Sequence, residues 1–168
     1  RSTHDPQIPL VGRAVTSVYV PIREDLEIAM KRQAKEQGMI QSYNQWVVDN
    51  LIEDDVIVAD MYDKIKEGTL LGGNLSTAIA SKTKRGGAVV WGGIRDLAQI
   101  QGIQGINLFY RAIDPMPLRE YVMVGYNPPC RIGHAICLPG DVVYGCQSGV
   151  YFIPAHLAEE VVNDAERV

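Results

Sequence analysis

The sequence lacks the cysteine content of a disulfide-stabilised secreted domain. Its 168 residues include three cysteines, which cannot all pair within one chain, and none of them forms a Cys-x-x-Cys motif. This pattern favours a reducing compartment. The chain also contains no apolar run of about 18 residues or more, and it opens on no signal-peptide pattern. We therefore expect a cytoplasmic protein with no membrane partner.

An excess of positive charge is also missing. Lys and Arg number 16 against 20 Asp and Glu, which gives a formal net charge of −4 and a pI of about 5.3. This balance argues against a general binder of phosphate backbones, so we expect no nucleic-acid partner. Hydrophobic residues make up 46% and charged residues 21% of the chain, as in ordinary globular proteins. With no repeat or low-complexity tract, we expect a single domain over residues 1–168.

Helices and strands alternate in the middle of the sequence, and short strands dominate its last third. This order predicts a mixed α/β fold with helices packed against sheets. An irregular arm is expected over residues 1–12. The predicted helices cover 23–37, 74–85, about 97–101 and a last segment from Pro154, whose core-facing stripe would be Leu157, Val161 and Ala165. The predicted strands cover 13–20, 56–60, 88–91, 106–111, 121–126, 131–132, 135–138, 142–146 and 150–153.

A glycine-rich loop precedes the helix predicted over residues 74–85. Gly72–Gly73 lets the backbone turn sharply, and Asn74 is a favoured N-cap residue. The backbone N–H groups of Asn74, Leu75 and Ser76 would then point out of the helix N-terminus. Such groups attract an anion by direct hydrogen bonds and by the helix dipole. The sequence therefore predicts an anion-binding cradle here.

A second glycine pair, Gly92–Gly93, is predicted to turn the chain and to deliver Arg95 and Asp96. The planar guanidinium of Arg95 can bind a carboxylate or phosphate through two hydrogen bonds. Asp96 is a hard oxygen ligand of the kind that Mg²⁺ or Mn²⁺ accepts. Together with the cradle, this pair would suit a small oxo-acid. The alternative is structural, since a glycine pair is often only a turn and Arg-Asp is often a solvated pair that opens a helix.

Three further groups could bind metal, each with a structural alternative. Cys130, His134 and Cys137 have a Cys-x₃-His-x₂-Cys spacing that could hold zinc, but buried cysteines are commonly small hydrophobes. The acidic residues 53–55 suit a solvated turn better than a metal site. Asp60 and Asp63 near the end of a predicted strand are better placed, because ligands of open α/β sheets gather beyond the carboxyl ends of strands.

Three stretches in this order resemble the RraA-like family: VIVAD, GGNLSTAIASKTKRGGAVVWGGIRD and LPGDVVYGCQSGVYFIP, followed by a terminal helix. The resemblance covers roughly residues 12–162. The family includes class II pyruvate aldolases acting on 4-hydroxy-4-methyl-2-oxoglutarate and 4-carboxy-4-hydroxy-2-oxoadipate, and RraA regulators that inhibit an RNA-degrading nuclease. The resemblance implies an α-β-β-α sandwich of the swivelling β/β/α type. It also implies a homotrimer or homohexamer with active sites between subunits.

The resemblance also implies roles for the residues singled out above. Arg95 would bind the carboxylate and keto region of a pyruvate-like substrate. Asp96 would hold a divalent metal, Mg²⁺ or Mn²⁺, largely through waters. The backbone amides of Leu75 and Ser76 would bind the substrate carboxylate, with Gly73 and Asn74 completing the binding segment. On this basis Arg95, Asp96 and the residue at position 74 are the expected catalytic residues.

The sequence departs from the aldolase pattern in four places. Asn74 stands where the aldolases carry Asp, and a neutral amide cannot act as a general base. Trp91–Gly92 replaces the usual Asp-Gly, and residues 146–148 lack the acidic groups that the family places there. Members of the family carry a helical segment before the position that corresponds to Arg1, and we expect this chain to lack it.

Three functions therefore remain open from the sequence. The first is a metal-dependent lyase acting on a small 2-oxo acid, by oxaloacetate decarboxylation or by retro-aldol cleavage that releases pyruvate. The second is a non-catalytic RraA-like regulatory or binding protein. The third is a divergent enzyme of the same fold whose proton transfers use His134, Tyr144 or Cys146.

Overall fold

The described part of the computed structural model comprises residues 1–4, 9–39 and 42–167. The first strand begins at Leu10, earlier than predicted, so the irregular arm is shorter than expected. Residues 5–8 of that arm lie outside the described residues. Among the described residues, no helix combines the length and the apolar character needed to cross a membrane.

The chain forms ten strands and five α-helices in the described residues. The strands are β1 (Leu10–Pro21), β2 (Asp55–Asp60), β3 (Thr69–Leu71), β4 (Gly87–Ile94), β5 (Asn107–Ile113), β6 (Tyr121–Tyr126), β7 (Cys130–Ile132), β8 (Ala135–Cys137), β9 (Val142–Cys146) and β10 (Gly149–Ile153). The helices are α1 (Glu24–Glu36), α2 (Tyr43–Asp49), α3 (Gly73–Lys82), α4 (Leu97–Gln101) and α5 (Ala158–Ala165), the last preceded by a 3₁₀ turn at Ala155–Leu157. β3 and α2 are the elements that the sequence patterns did not predict.

Eight strands form one mixed sheet in the order β10-β9-β1-β2-β4-β3, with β5 also paired to β4 and β6 also paired to β1. The pairs β1–β2, β2–β4, β3–β4 and β4–β5 are parallel. The strands β6, β9 and β10 pair antiparallel. β7 and β8 form a separate hairpin.

The sheet is covered on both faces. All six residues of β2 are buried, as expected for a parallel strand inside an α/β fold. Ile57 packs into the cluster on the side of α2, α3 and α4, whereas its neighbour Val58 packs into a second cluster with the hairpin residues Cys130 and Cys137. This layering of helices and β-structure confirms the predicted α/β sandwich.

The prediction of a turn at Gly92–Gly93 is wrong, because β4 continues through both residues to Ile94, with a shift of register against β5 between Val90 and Gly93. A Cβ added to Gly92 would lie 2.6 Å from the Cβ of Met61 and 2.8 Å from the carbonyl oxygen of Lys64. Glycine is therefore needed where the loop between β2 and β3 crosses close to β4. The chain therefore does not reverse direction at Gly92–Gly93.

The prediction of a core-facing stripe on the last helix is also wrong. Leu157 and Val161 are exposed, and α5 contains no buried residue. Ala165 is exposed as well. The amphipathic pattern correctly predicts a helix. Within the described residues, however, the apolar side of this helix packs on no other surface.

Candidate active site

The start of α3 and the end of β4 meet at one edge of the sheet. The backbone N–H of Arg95 donates to the carbonyl of Leu71 at 3.0 Å, so the residues after β3 and β4 lie side by side. β3 and β4 are parallel, and both carboxyl ends therefore point to the same edge. This is where open α/β sheets place their ligands. The predicted convergence of the two glycine-rich segments is present.

Asp96 caps helix α3 from across this edge. Its Oδ2 accepts a hydrogen bond from the backbone N–H of Gly73 at 3.1 Å, and its own backbone is left-handed with φ of 58°. A carboxylate beside a helix N-terminus is stabilised by the helix dipole. The prediction that Asn74 caps the helix is wrong, because the N-cap position is Gly72 and Asn74 is an exposed residue inside the first turn.

Two backbone amides at the start of α3 are free for an anion. The N–H groups of Asn74 and Leu75 have no acceptor among the described residues. The third predicted amide is not available, because the N–H of Ser76 donates to the carbonyl of Gly72 at 3.0 Å as the first bond of the helix. The Ser76 hydroxyl is fully buried and has no hydrogen-bond partner in the described residues. The observed cradle is therefore one residue shorter than expected.

The guanidinium of Arg95 forms no short ion pair within the described residues. Its Nη1 lies 3.4 Å from the carbonyl oxygen and 3.2 Å from the hydroxyl of Thr69, and its Nε lies 3.6 Å from Oδ2 of Asp96. The side chain is 25% exposed. Because no carboxylate holds it in a short bidentate pair, its donors remain available to a ligand.

Gly72 leaves room for this pair of side chains. A Cβ at position 72 would lie 2.5 Å from Oδ2 of Asp96 and 2.8 Å from Cζ and Nε of Arg95. The φ of Gly72 is −133°, which any residue adopts. The glycine is thus required by the close approach of the two charged side chains and not by a turn conformation.

Gln99 is a site neighbour that the sequence analysis missed. A Cβ added to Gly73 would overlap its side-chain amide. Gln99 lies three residues after Asp96, the N-cap residue of α4, and an acid followed at this spacing by Gln is typical of the start of a helix. That spacing is the signal that could have identified it.

Asp96 is the residue that could hold a metal here. Its Oδ2 is engaged by Gly73, its side chain is 45% exposed, and no hydrogen bond to its Oδ1 occurs in the described residues. No group of three His, Cys, Asp or Glu side chains suited to an ion is found in that same part of the chain. The donor set fits a cation that keeps most of its waters, as Mg²⁺ does with one or two carboxylates plus substrate oxygens.

The other acidic candidates are occupied by arginines. Asp60 is nearly buried and lies 3.5 Å from Nη2 of Arg131, and it also accepts the backbone N–H of Tyr62 at 2.9 Å. Asp63 forms a two-bond pair with Arg111 at 2.8 and 3.3 Å. These aspartates hold the loop after β2 in place.

The acidic segment 53–55 is divided between the surface and the core. Glu53 pairs with Lys84 on the surface, as expected for a solvated turn. Asp55 instead begins β2 and is buried, where it accepts two hydrogen bonds from Arg13 at 2.7 and 3.0 Å. Its role is to pair with Arg13, so the turn prediction holds only for the first part of the segment.

The structure does not assemble the zinc cluster. Cys130 and Cys137 are buried and directly opposite each other in the β7–β8 pairing, whereas His134 is exposed at the turn of the hairpin. The hydrogen bond with Cys130 and burial raise the pKa of the Cys137 thiol. No group of three His, Cys, Asp or Glu side chains placed to hold an ion occurs among the described residues.

The residues considered for alternative proton transfer lie away from Arg95 in the same chain. His134 belongs to the hairpin on the opposite face of the sheet from α3. Tyr144 and Cys146 are on β9, which β1 and β2 separate from β4.

Comparison with known proteins identifies the family. A family model described as RraA-like, Aldolase/RraA, matches residues 1–152. A solved structure described as one of "novel cellulases from microbes associated with the gut ecosystem" is 26% identical with a TM-score of 0.76, over 95% of this chain and 65% of that one. This chain thus spans less than two thirds of the length of that relative. No curated protein matches the chain.

Two RraA structures are also similar. RraAS2 from Streptomyces coelicolor, described as an unusual member of the RNase ES inhibitor RraA protein family, is 26% identical with a TM-score of 0.75, over 95% of this chain and 73% of that one. The RNA-processing inhibitor RraA from Thermus thermophilis is 22% identical with a TM-score of 0.67, over 92% and 80% of the two chains, which supports the fold alone. With the family model matching nearly its whole length, this chain belongs to the RraA-like family.

Proposed function

We propose that the chain is a divalent-metal-dependent carbon–carbon lyase that acts on a small 2-oxo acid. The observation that carries the proposal is the hydrogen bond between Gly73 and Asp96, which holds the free amides of α3 beside Arg95. Anion donors, a guanidinium and a carboxylate therefore lie close together at one edge of the sheet. This combination suits a substrate with a carboxylate next to a ketone.

The neutral amides and the charged guanidinium would bind different parts of the substrate. The N–H groups of Asn74 and Leu75 would donate to the substrate carboxylate, helped by the dipole of α3. Arg95 would donate to the carboxylate and the neighbouring ketone oxygen, where negative charge grows as the carbon–carbon bond breaks. Gly72 would keep this space open.

The resident metal would be Mg²⁺ or Mn²⁺, held by Asp96 together with waters. When bound, such a cation would draw electron density from the substrate ketone during bond cleavage. The contribution of the chain is to orient the Asp96 carboxylate, which the N–H of Gly73 fixes at 3.1 Å. Leu97 and the rest of α4 follow directly and anchor its backbone.

Decarboxylation is favoured over retro-aldol cleavage because the described residues of the site offer no proton acceptor beyond Asp96. Retro-aldol cleavage requires a base for the hydroxyl proton, and Asn74 cannot supply one. In oxaloacetate decarboxylation the bond to the leaving carboxylate breaks, its electron pair passes toward the ketone oxygen, CO₂ departs, and water protonates the remaining carbon. No positioned base is needed, so the residues present are sufficient.

The direct test is oxaloacetate decarboxylation with and without Mg²⁺, with pyruvate measured and the metal-catalysed background subtracted. We expect a metal-dependent rate for the wild-type chain and its loss in Asp96→Asn. Asp63→Asn is the matched control, since this aspartate lies in the loop after β2 and is paired with Arg111. A wild-type rate equal to background would refute the lyase proposal.

Restoring the missing acid gives a second prediction. Asn74→Asp places a carboxylate on the exposed first turn of α3 beside the site. We expect it to raise retro-aldol cleavage of 4-hydroxy-4-methyl-2-oxoglutarate above wild type, followed as pyruvate release. Thr77→Asp, one turn further along the exposed side of the helix, is the control and should have no such effect.

The second candidate is a non-catalytic binding protein of the RraA type. The missing proton acceptor favours it, as does the similarity to RraAS2. The two candidates differ in the oxaloacetate test, because a binding protein would show no dependence on Asp96.

A homotrimer or homohexamer completes the proposal. Five cavities of about 300 to 440 Å³ open on the described surface, and none of the five is lined by the site residues. Asn74 and Asp96 are exposed on the single chain. An open site of this kind is consistent with closure by a neighbouring subunit.

A further inference from the structure

The β7–β8 hairpin contains two thiols that the proposed reaction does not use. Cys130 and Cys137 are both free, and they are 2% and 0% exposed. They lie directly opposite each other in the antiparallel pairing of the two strands. Opposite residues in such a pair have Cα atoms about 4.5–5.5 Å apart. This separation lies within the range of about 4.4–6.8 Å that a disulfide requires.

The side chains of the two cysteines also meet. Both belong to the apolar cluster on the hairpin side of the sheet, together with Val58 and Val89. A hydrogen bond with Cys130 is the main cause of the raised pKa of the Cys137 thiol, and burial adds to it. Two cysteines whose thiols already interact can be joined without a large movement of the backbone.

The third cysteine is placed differently. Cys146 is partly buried and lies opposite Gly149 in the β9–β10 pairing, not opposite a cysteine. The fold therefore selects one of the three pairings that three cysteines allow.

The hairpin is also a small unit of its own. β7 and β8 have three residues each, and among the described residues they pair only with each other. His134 in the turn between them is exposed. Elements with few hydrogen bonds to the rest of a fold open locally without global unfolding. Local opening of the hairpin gives a small oxidant access to the two buried thiols.

We propose that Cys130 and Cys137 are a modification site, at which hydrogen peroxide forms a reversible disulfide within one chain. The sulfur of Cys130, after loss of its proton, attacks one peroxide oxygen. The O–O bond breaks, a sulfenic acid forms on Cys130, and the second oxygen leaves as water. The sulfur of Cys137 then attacks the sulfenic sulfur, so that the S–S bond forms, the S–O bond breaks and a second water leaves with the thiol proton of Cys137.

The electrons balance, because the two cysteines lose two electrons and the peroxide gains them. Cys137 is assigned the second attack because its raised pKa lowers the fraction of reactive thiolate. A dithiol reductant reverses the reaction by thiol–disulfide exchange. This inference goes beyond the lyase proposal and does not rest on it.

The test is peptide mapping of the chain after treatment with hydrogen peroxide under native conditions and removal of the excess with catalase. Remaining thiols are blocked with N-ethylmaleimide in guanidinium, and the chain is digested with trypsin without reductant. Trypsin cleaves after Arg131, which lies between the two cysteines. We expect their two peptides to stay joined, with a mass about 2 Da below the sum of the two. Dithiothreitol should separate them.

Cys146→Ser is the variant that should keep this link, whereas Cys137→Ser should lose it. The wild-type chain treated in guanidinium is the control for the fold, and there we expect links to Cys146 as well. Three results overturn the proposal. The first is a native chain in which both hairpin thiols remain free or are oxidised to sulfinic acids without a link. The second is equal linking to Cys146 in the native chain. The third is a link found only in a species of twice the 18.5 kDa chain mass. None of these readouts uses oxaloacetate, so their failure leaves the lyase proposal standing.

Discussion

Arg95 directly follows β4 and Arg111 lies on the neighbouring parallel strand β5, yet their surroundings differ. Arg111 is held by Asp63 through two bonds and lies 4.4 Å from the centre of the Trp91 ring. The guanidinium of Arg95 has no hydrogen bond or ion pair shorter than 3.2 Å among the described residues. An arginine already paired by a carboxylate fixes structure, whereas one with free donors can bind a ligand.

The two glycine pairs make the same distinction. Gly72 leaves room for the charged side chains of the site, and Gly92 leaves room for the loop after β2. Both are needed because something approaches closely. The glycine at position 72 serves the site because site side chains approach it, whereas the glycine at position 92 serves the fold because a loop approaches it.

The largest effect is expected from Arg95→Ala. Loss of the guanidinium removes donors aimed at developing negative charge, which costs about 10²–10³-fold in rate in comparable cases. The metal-dependent rate of pyruvate formation from oxaloacetate measures it, and Arg95→Lys is expected to recover only part because a single ammonium cannot form the two-bond fork. Full activity of the Arg95→Ala variant would show that Arg95 has no role in the reaction.

The next largest effect on activity is expected from Gly72→Ala. The added Cβ displaces the ends of the Arg95 and Asp96 side chains, which can move, so we expect the fold to survive. Misplacement of binding groups by roughly 1 Å costs up to about 10²-fold in activity. The expected signature is reduced activity with an unchanged thermal midpoint. Normal activity would mean that the two side chains need not stay where they are.

Gly92→Ala should show the reverse signature. Its Cβ would meet the Cβ of Met61 and the backbone oxygen of Lys64, which cannot move independently of the loop. Overpacking of this kind costs about 1–3 kcal/mol in the free energy of unfolding. Chemical denaturation measures it. A stability equal to wild type would show that the loop after β2 is looser than the contacts indicate.

The smallest effect is expected from Arg111→Ala. The Arg111–Asp63 pair is exposed on both sides, and exposed ion pairs contribute little to stability. We expect a metal-dependent rate close to wild type and a small change in unfolding midpoint. A loss of activity matching that of Arg95→Ala would erase the difference between the two arginines.

The errors of the sequence analysis have different physical causes. The turn at Gly92–Gly93 and the core-facing stripe of the last helix are predictions from local patterns. In the structure the loop after β2 crowds Gly92, and the described residues offer no surface for the last helix to cover. The prediction that the Ser76 amide is free for an anion is wrong because the helix begins at Gly73, one residue earlier than predicted. The N–H of Ser76 is therefore used within the helix. A contact from elsewhere in the chain changed the first outcome, the lack of a covering surface among the described residues changed the second, and a shift of the helix start changed the third.

The sequence alone determined the alternation of helices and strands, the family, and the residue types of the candidate site, because periodicity and short motifs are local properties. The tertiary structure decided which of these residues meet. Parallel pairing of β3 and β4 brings Gly73 to Asp96, and the loop after β2 assigns Asp63 to Arg111. These pairings depend on contacts between segments far apart in the chain, which local patterns do not encode.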